Sequence, residues 1–165
     1  MESIIVTRHG DPDCMVLQEL PTPSPGSGEI CIRVSKAGIN FADSLARMGL
    51  YPGAPNPPFT PGMEVSGIVH EVGPDVENFK QGDRVVGSGG SGGYSTHTIS
   101  KAATVFKIPD EITFEVAAAF PAVYFTSYLM VIHPGALQPG ESILIHGAAG
   151  GVGLAATELA LSLIH

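Results

Sequence analysis

Positive charge is scarce in this 165-residue chain: 8 Lys and Arg stand against 16 Asp and Glu, for a net charge of −8. Nucleic acid and anionic membrane surfaces demand clustered basic side chains, so neither is expected as the main partner. Cysteine is scarcer still, with only Cys14 and Cys31. A disulfide between them is not expected, and a reducing, cytoplasmic setting fits such usage. The opening MESIIVTRHGDPD lacks the apolar stretch of a secretory signal. Long hydrophobic runs are also missing, with one exception. Residues 116–132 are apolar and reach the ~17-residue lower limit for a span, but Pro121, Thr126, Ser127 and two tyrosines interrupt them and no basic flank follows. A buried helix and no membrane span are expected there.

The supply of turn formers is large: 21 Gly and 14 Pro. Residues 1–112 read accordingly as short strands and turns. EICIRVSKAGI alternates polar and apolar side chains at the strand period, as do MEVSGIVHEVG, DRVVGSG and YSTHTISKAATVFK. NFADSLARMG places Phe41, Leu45 and Met48 at helical spacing and stops at Gly49. LYPGAPNPPFTPG, with five prolines, reads as a loop. The character changes after Pro109. TFEVAAAFPAVYFTSYLMVIH reads as one long helix, and the remainder as turn, strand (SILIH), Gly-rich loop and helix. No Lys or Arg occurs in the 58 residues after Lys107. A surface so poor in cations suggests that much of this part is covered by other protein.

Two glycine-rich stretches match loose catalytic or cofactor patterns, and context separates them. GSGGSGG, residues 87–93, holds both G-x-G-x-x-G and G-x-S-x-G, but a strand-like segment follows it. A nucleophile elbow or a dinucleotide loop must lead into a helix, so this stretch reads as a hairpin connection. HGAAGGVG meets the requirement, with an apolar strand before it and an Ala- and Leu-rich helix after it. Ala148, Gly150 and Gly153 fit the A-x-G-x-x-G form of the fingerprint. Small residues let the backbone approach a pyrophosphate, and the helix N-terminus favours the anion. Ala148, Ala149, Gly150, Gly151, Val152 and Gly153 are therefore candidate cofactor-binding residues.

AGINFADSLARMGLYPG, PFTPGMEVSGIVHEVG, GDRVVG, FEVAAAF and LQPGESILIHGAAGGVG, in this order and covering nearly the whole chain, resemble the zinc-independent, zeta-crystallin-like quinone oxidoreductases of the medium-chain dehydrogenase/reductase superfamily. The resemblance implies a mixed α/β fold: a GroES-like β-barrel domain over 1–112, then a linking helix and the truncated start of a Rossmann domain over 113–165. It implies hydride transfer from NADPH, with NAD not excluded, to a small-molecule quinone or enone in the cleft between the domains. Asn40 and Tyr51 become the candidate catalytic residues. Asn40 falls near the nicotinamide ribose; Tyr51 stands where it could stack on a flat substrate or donate to its carbonyl oxygen. Thr126, and less strongly Tyr124, match positions near the nicotinamide.

Zinc-dependent relatives carry Cys and His where Asn40 and Met63 stand, and a four-cysteine lobe that this sequence lacks. The histidines show no H-x-x-x-H spacing, so no metal site is expected. Glu64, the acidic residue beside Met63, then reads as a structural acceptor. The residue that reads the adenosine ribose would fall ~20 residues past the glycines, beyond His165. The chain is thus expected to be the front half of an enzyme, inactive by itself and prone to homo-oligomerise through its incomplete Rossmann part. The alternatives are a non-catalytic isoform that pairs with a full-length relative and an enoyl reductase module.

Overall fold

The computed structural model describes residues 1–88 and 90–164. Gly89, inside the first glycine-rich stretch, and His165 lie outside the described residues. In chain order the elements are β1 (Glu2–Val6), β2 (Met15–Glu19), β3 (Glu29–Ala37), α1 (Phe41–Arg47), β4 (Glu64–Val72), β5 (Arg84–Ser88), β6 (His97–Lys101), β7 (Val105–Lys107), α2 (Phe114–Ala118), α3 (Pro121–Ile132) and α4 (Gly151–Ile164). They form two compact units, Met1–Ala119 and Phe120–His165.

In the first unit, alternation does what it predicts. An antiparallel five-stranded sheet forms in the order β6-β3-β4-β5-β7. Its inward side chains, Ile30 and Ile32 of β3, Val65 and Val69 of β4, Val85 of β5 and Val105 of β7, make one buried cluster. Each such side chain removed from water contributes about 1.5–3 kcal/mol. This is the curled, GroES-like sheet that the family resemblance implies. β1 and β2 pair as a separate hairpin, tied to the rest by bridges from Ser3 to Ser95 and from Val6 to Phe59. The second bridge fastens the Pro-rich loop: Val6 and Phe59 exchange backbone bonds of 2.8 and 3.2 Å and bury Cys14 between them. Cys14 and Cys31 are both buried free thiols.

α1 ends at Met48, followed by Gly49 at φ +76°, a left-handed position that glycine fills without strain. α2 is capped by Thr113, whose hydroxyl accepts from the Val116 N–H. It packs on β3, β4 and β5, and the buried Ser66 hydroxyl donates to the Phe114 carbonyl at 2.6 Å. α2 therefore falls in the first compact unit.

Three expectations need correction. The single long helix across residues 113–133 is two helices. Pro121 has no N–H to give to the preceding turn, so α2 stops and α3 restarts with proline in its first turn. The stretch after β5 is not a hairpin connection. β6 pairs with β3, not with β5, so this chain segment crosses from one side of the sheet to the other. SILIH, residues 142–146, forms no strand. A strand is held by ladder bonds to a neighbour, and no strand is assigned after β7 among the described residues.

The second unit is a helix pair. α3 packs on α4 through Val131, Ala156 and Ala160, with Ile132, Leu137, Ile145 and Leu163 partly buried around them. No helix of the described residues is long and apolar enough to cross a membrane.

Candidate functional site

The sequence-designated residues fall into two groups, one on each unit. In the first unit Asn40 is the residue just before α1. Its side-chain Nδ2 donates to Glu64 Oε1 at 2.8 Å, and Glu64 is buried at the start of β4. The structural-acceptor reading of Glu64 thus has its donor. Three residues on, Asp43 is 7% exposed and gathers three donors. The Asn40 N–H reaches its Oδ2 at 2.8 Å, the Tyr94 hydroxyl reaches the same oxygen at 2.9 Å, and the Gly62 N–H reaches Oδ1 at 3.2 Å. Burial, then the bond to Asp43, push the Tyr94 phenol well above its usual range, so it remains a donor. Asp43 thereby fastens the start of α1, the turn before β4 and the segment before β6 to one carboxylate.

Tyr51 is exposed and lines an open pocket with Asp43, Phe59, Met63 and Ser91. Asn40 is outside that lining and connects with it through Asp43. Among the described residues no group of three or more His, Cys, Asp or Glu is placed to hold a metal.

In the second unit the glycine loop is a tight turn that runs into α4. The Gly150 N–H closes on the Gly147 carbonyl at 2.9 Å, and Leu154 makes the first helical bond, to the Gly150 carbonyl at 2.8 Å. The Gly151, Val152 and Gly153 amides are the orphan donors of a helix start, and no acidic side chain occupies the first turn. At Gly153 a Cβ would lie 2.4 Å from the Gly147 carbonyl oxygen and 2.6 Å from Ala148 Cα. Only glycine permits this turn. A Cβ at Gly151 would meet the Val123 side chain at 2.9 Å, so that glycine lets α4 lie against α3. Ala148 and Ala149 sit in the turn and Gly150 at its end, with Gly147, Ile143, Met130 and Ala156 lining an open pocket beside it. Small side chains, a closed turn and a helix N-terminus suit a pyrophosphate.

Thr126 lies half-buried on α3. Its neighbour Ser127 is the one tied to the loop: the fully buried hydroxyl donates to the Val152 carbonyl at 2.8 Å. The Tyr124 hydroxyl donates to Glu158, which raises its pKa, and its ring stacks on Phe120 at 4.3 Å. Sequence reasoning missed Asp43 and Ser127. Asp43 had a legible signature, since Asn followed three residues later by an acidic side chain opens many helices. Ser127 had none, because its role is created by the packing of α3 on α4.

Residues 26–110 match the alcohol dehydrogenase GroES-like domain. This chain belongs to that family. The relatives lie among the quinone oxidoreductases of the medium-chain dehydrogenase/reductase superfamily, as the sequence resemblance indicates. The chain is 41% identical over 162 residues to a quinone oxidoreductase of Lama guanicoe, covering 97% of this chain and 49% of that protein. It is 43% identical over 158 residues to the synaptic vesicle membrane protein VAT-1 homolog of Danio rerio, covering 95% of this chain and 33% of that protein. Its fold superposes on the Escherichia coli quinone oxidoreductase, solved in complex with NADPH, with a TM-score of 0.92 at 37% identity, over 99% of this chain and 50% of that one. The chain therefore spans between a third and a half of the length of these relatives.

Proposed function

We propose that this chain contributes the GroES-like domain and the phosphate-binding corner of an NADPH-dependent oxidoreductase that reduces quinones or enones without zinc. The observation that carries the reading is the turn before α4, where Gly153 closes on Gly147 and Ala148 at a distance no other residue allows. Residues 148–153 would line the pyrophosphate, the backbone N–H groups of Gly151, Val152 and Gly153 donating to it, and Thr126 would stand toward the nicotinamide end. The bound dinucleotide would supply the hydride.

The chain's own residues bind and orient. Glu64 holds the Asn40 amide in one orientation; its carbonyl oxygen, which caps α1, has a second lone pair that would accept from a ribose hydroxyl. Asp43 fixes the backbone of the same corner. Tyr51, on the pocket wall, would present its ring to a flat acceptor and its hydroxyl to the carbonyl oxygen as negative charge develops. Two of the positions that carry zinc ligands in other relatives hold Asn40 and Met63, both poor zinc ligands, which supports a metal-free reaction. No side chain here is needed as an obligate acid if water protonates the product.

The test is an assay of the gene product that contains this sequence, against a panel of quinones and enones with NADPH and NADH. Turnover with NADPH that falls at least tenfold in Gly153→Val, with secondary structure retained, supports the reading. Absence of turnover and of dinucleotide binding in a folded protein overturns it. For the 165-residue chain alone, calorimetry is expected to find weak NADPH binding or none.

A further inference from the structure

The five-stranded sheet carries a histidine pair that none of the chemistry above uses. The β3–β4 pairing breaks register at two places, and at the first of them Cys31 faces Glu71 while the next residue, Ile32, faces Val69. His70 is the extra residue of this β-bulge. A bulge redirects the side chain it carries. Here the His70 ring reaches across β3 to His97 on β6, with ring centroids 4.9 Å apart and the planes at 72°. His70 is exposed and His97 half-buried, so the pair is open to solvent on one side.

Thr96 stands beside the His97 ring. Thr96 Oγ accepts the Glu2 N–H at 3.1 Å and lies 3.4 Å from the Glu2 carbonyl. His97 Nδ1 lies 3.3 Å from the same Thr96 oxygen. In the tautomer with the proton on Nδ1, that nitrogen donates to Thr96 and Nε2 carries the free lone pair. An imidazole whose second nitrogen is anchored to an oxygen is the arrangement that orients histidine as a metal ligand. Arg33 faces His97 in register and opposes a cation. Glu71 lines an open groove with His70 and favours one, while Lys80 on the same groove opposes it.

We propose that His70 and His97 form a two-histidine site for a divalent transition-metal cation, completed by water. Imidazole suits the later first-row metals, and of their divalent ions copper binds a given nitrogen site most tightly. Bound there, the ion would pin β6 to β4 across β3. This site is independent of the cofactor reading and survives its failure.

The test is titration of the 165-residue chain with Cu²⁺, read by calorimetry and electron paramagnetic resonance. One copper per chain is expected, with hyperfine structure from two nitrogens. The unfolding midpoint of the loaded protein should rise. His70→Ala and His97→Ala should each abolish the two-nitrogen signal, while His133→Ala should not. Thr96→Val, which keeps both ligands and removes the anchor, should weaken binding about 10-fold or more. Circular dichroism of each metal-free variant separates loss of the site from loss of the fold; His70, being exposed, can be replaced without disturbing the core. Absence of binding by the parent chain overturns the proposal. So does an unchanged two-nitrogen signal in a folded His70→Ala variant.

Discussion

Asp43 shows how much one side chain can organise. Its carboxylate receives three donors from three separate segments while nearly out of contact with water. Hydrogen bonds to a buried charge contribute about 1.5–3 kcal/mol each, and their loss leaves donors with no partner. Tyr94→Phe removes one of the three and should cost about 1.5–3 kcal/mol in urea-induced unfolding of the chain. Asp43→Asn keeps the shape but exchanges acceptors for donors, and should cost more than Tyr94→Phe. A smaller effect for Asp43→Asn would show that the carboxylate is not the organising group. Asn40 was legible in the sequence because of the resemblance, and Tyr51 likewise. That Asn40 is held by Glu64 was not legible, since 24 residues separate the partners and only strand pairing brings them together.

At the scale of elements, the short edge strand β7 has a support of its own. Lys107 Nζ lies 2.8 Å from Asp83 Oδ2, just before β5. This bond, foremost, holds the Asp83 carboxyl below the usual carboxylate range, against the opposing effect of burial. A carboxyl whose folded pKa is depressed contributes stability above its unfolded pKa of ~4 and loses it as pH falls through the folded value. Replacing Lys107 with Gln should therefore cost about 0.5–1 kcal/mol at neutral pH. The gap between the two proteins should narrow below pH ~4 and vanish at lower pH. A gap that persists at acid pH would mean that Lys107 acts by packing, for instance over Phe79, and not by charge. The helices teach a related lesson. Pro121 was visible in the sequence, and its backbone chemistry predicted a break; the apolar run around it hid that break. SILIH had the composition of a strand, but composition cannot supply the neighbour a strand must bond to.

The two units differ at the scale of the whole chain. The first buries a continuous core between its strands. The second leaves large apolar side chains open to water: Leu144 is 80% exposed, and Met130 and Leu154 are 60% exposed each. Contiguous apolar surface of this kind seeks a cover. The 165-residue chain is expected to associate as its concentration rises, seen by size-exclusion chromatography with light scattering. Leu144→Lys together with Met130→Glu should shift it toward monomer. A parent chain that stays strictly monomeric at high micromolar concentration would remove the basis for the expected homo-oligomer.

The sequence by itself determined the strands of the five-stranded sheet, the end of α1 before Gly49 and the small-residue turn that leads into α4. These rest on local rules: side-chain alternation, the left-handed freedom of glycine, and small residues ahead of a helix. The family resemblance located Asn40, Tyr51 and Thr126. Tertiary structure alone decided the rest. It set the strand order that sends the chain across the sheet from β5 to β6. It also brought Asn40 to Glu64, three donors to Asp43, Ser127 to the glycine loop and His70 to His97. Each of these depends on which strands become neighbours and in what register, and the free energy that selects a register comes from the buried cluster as a whole.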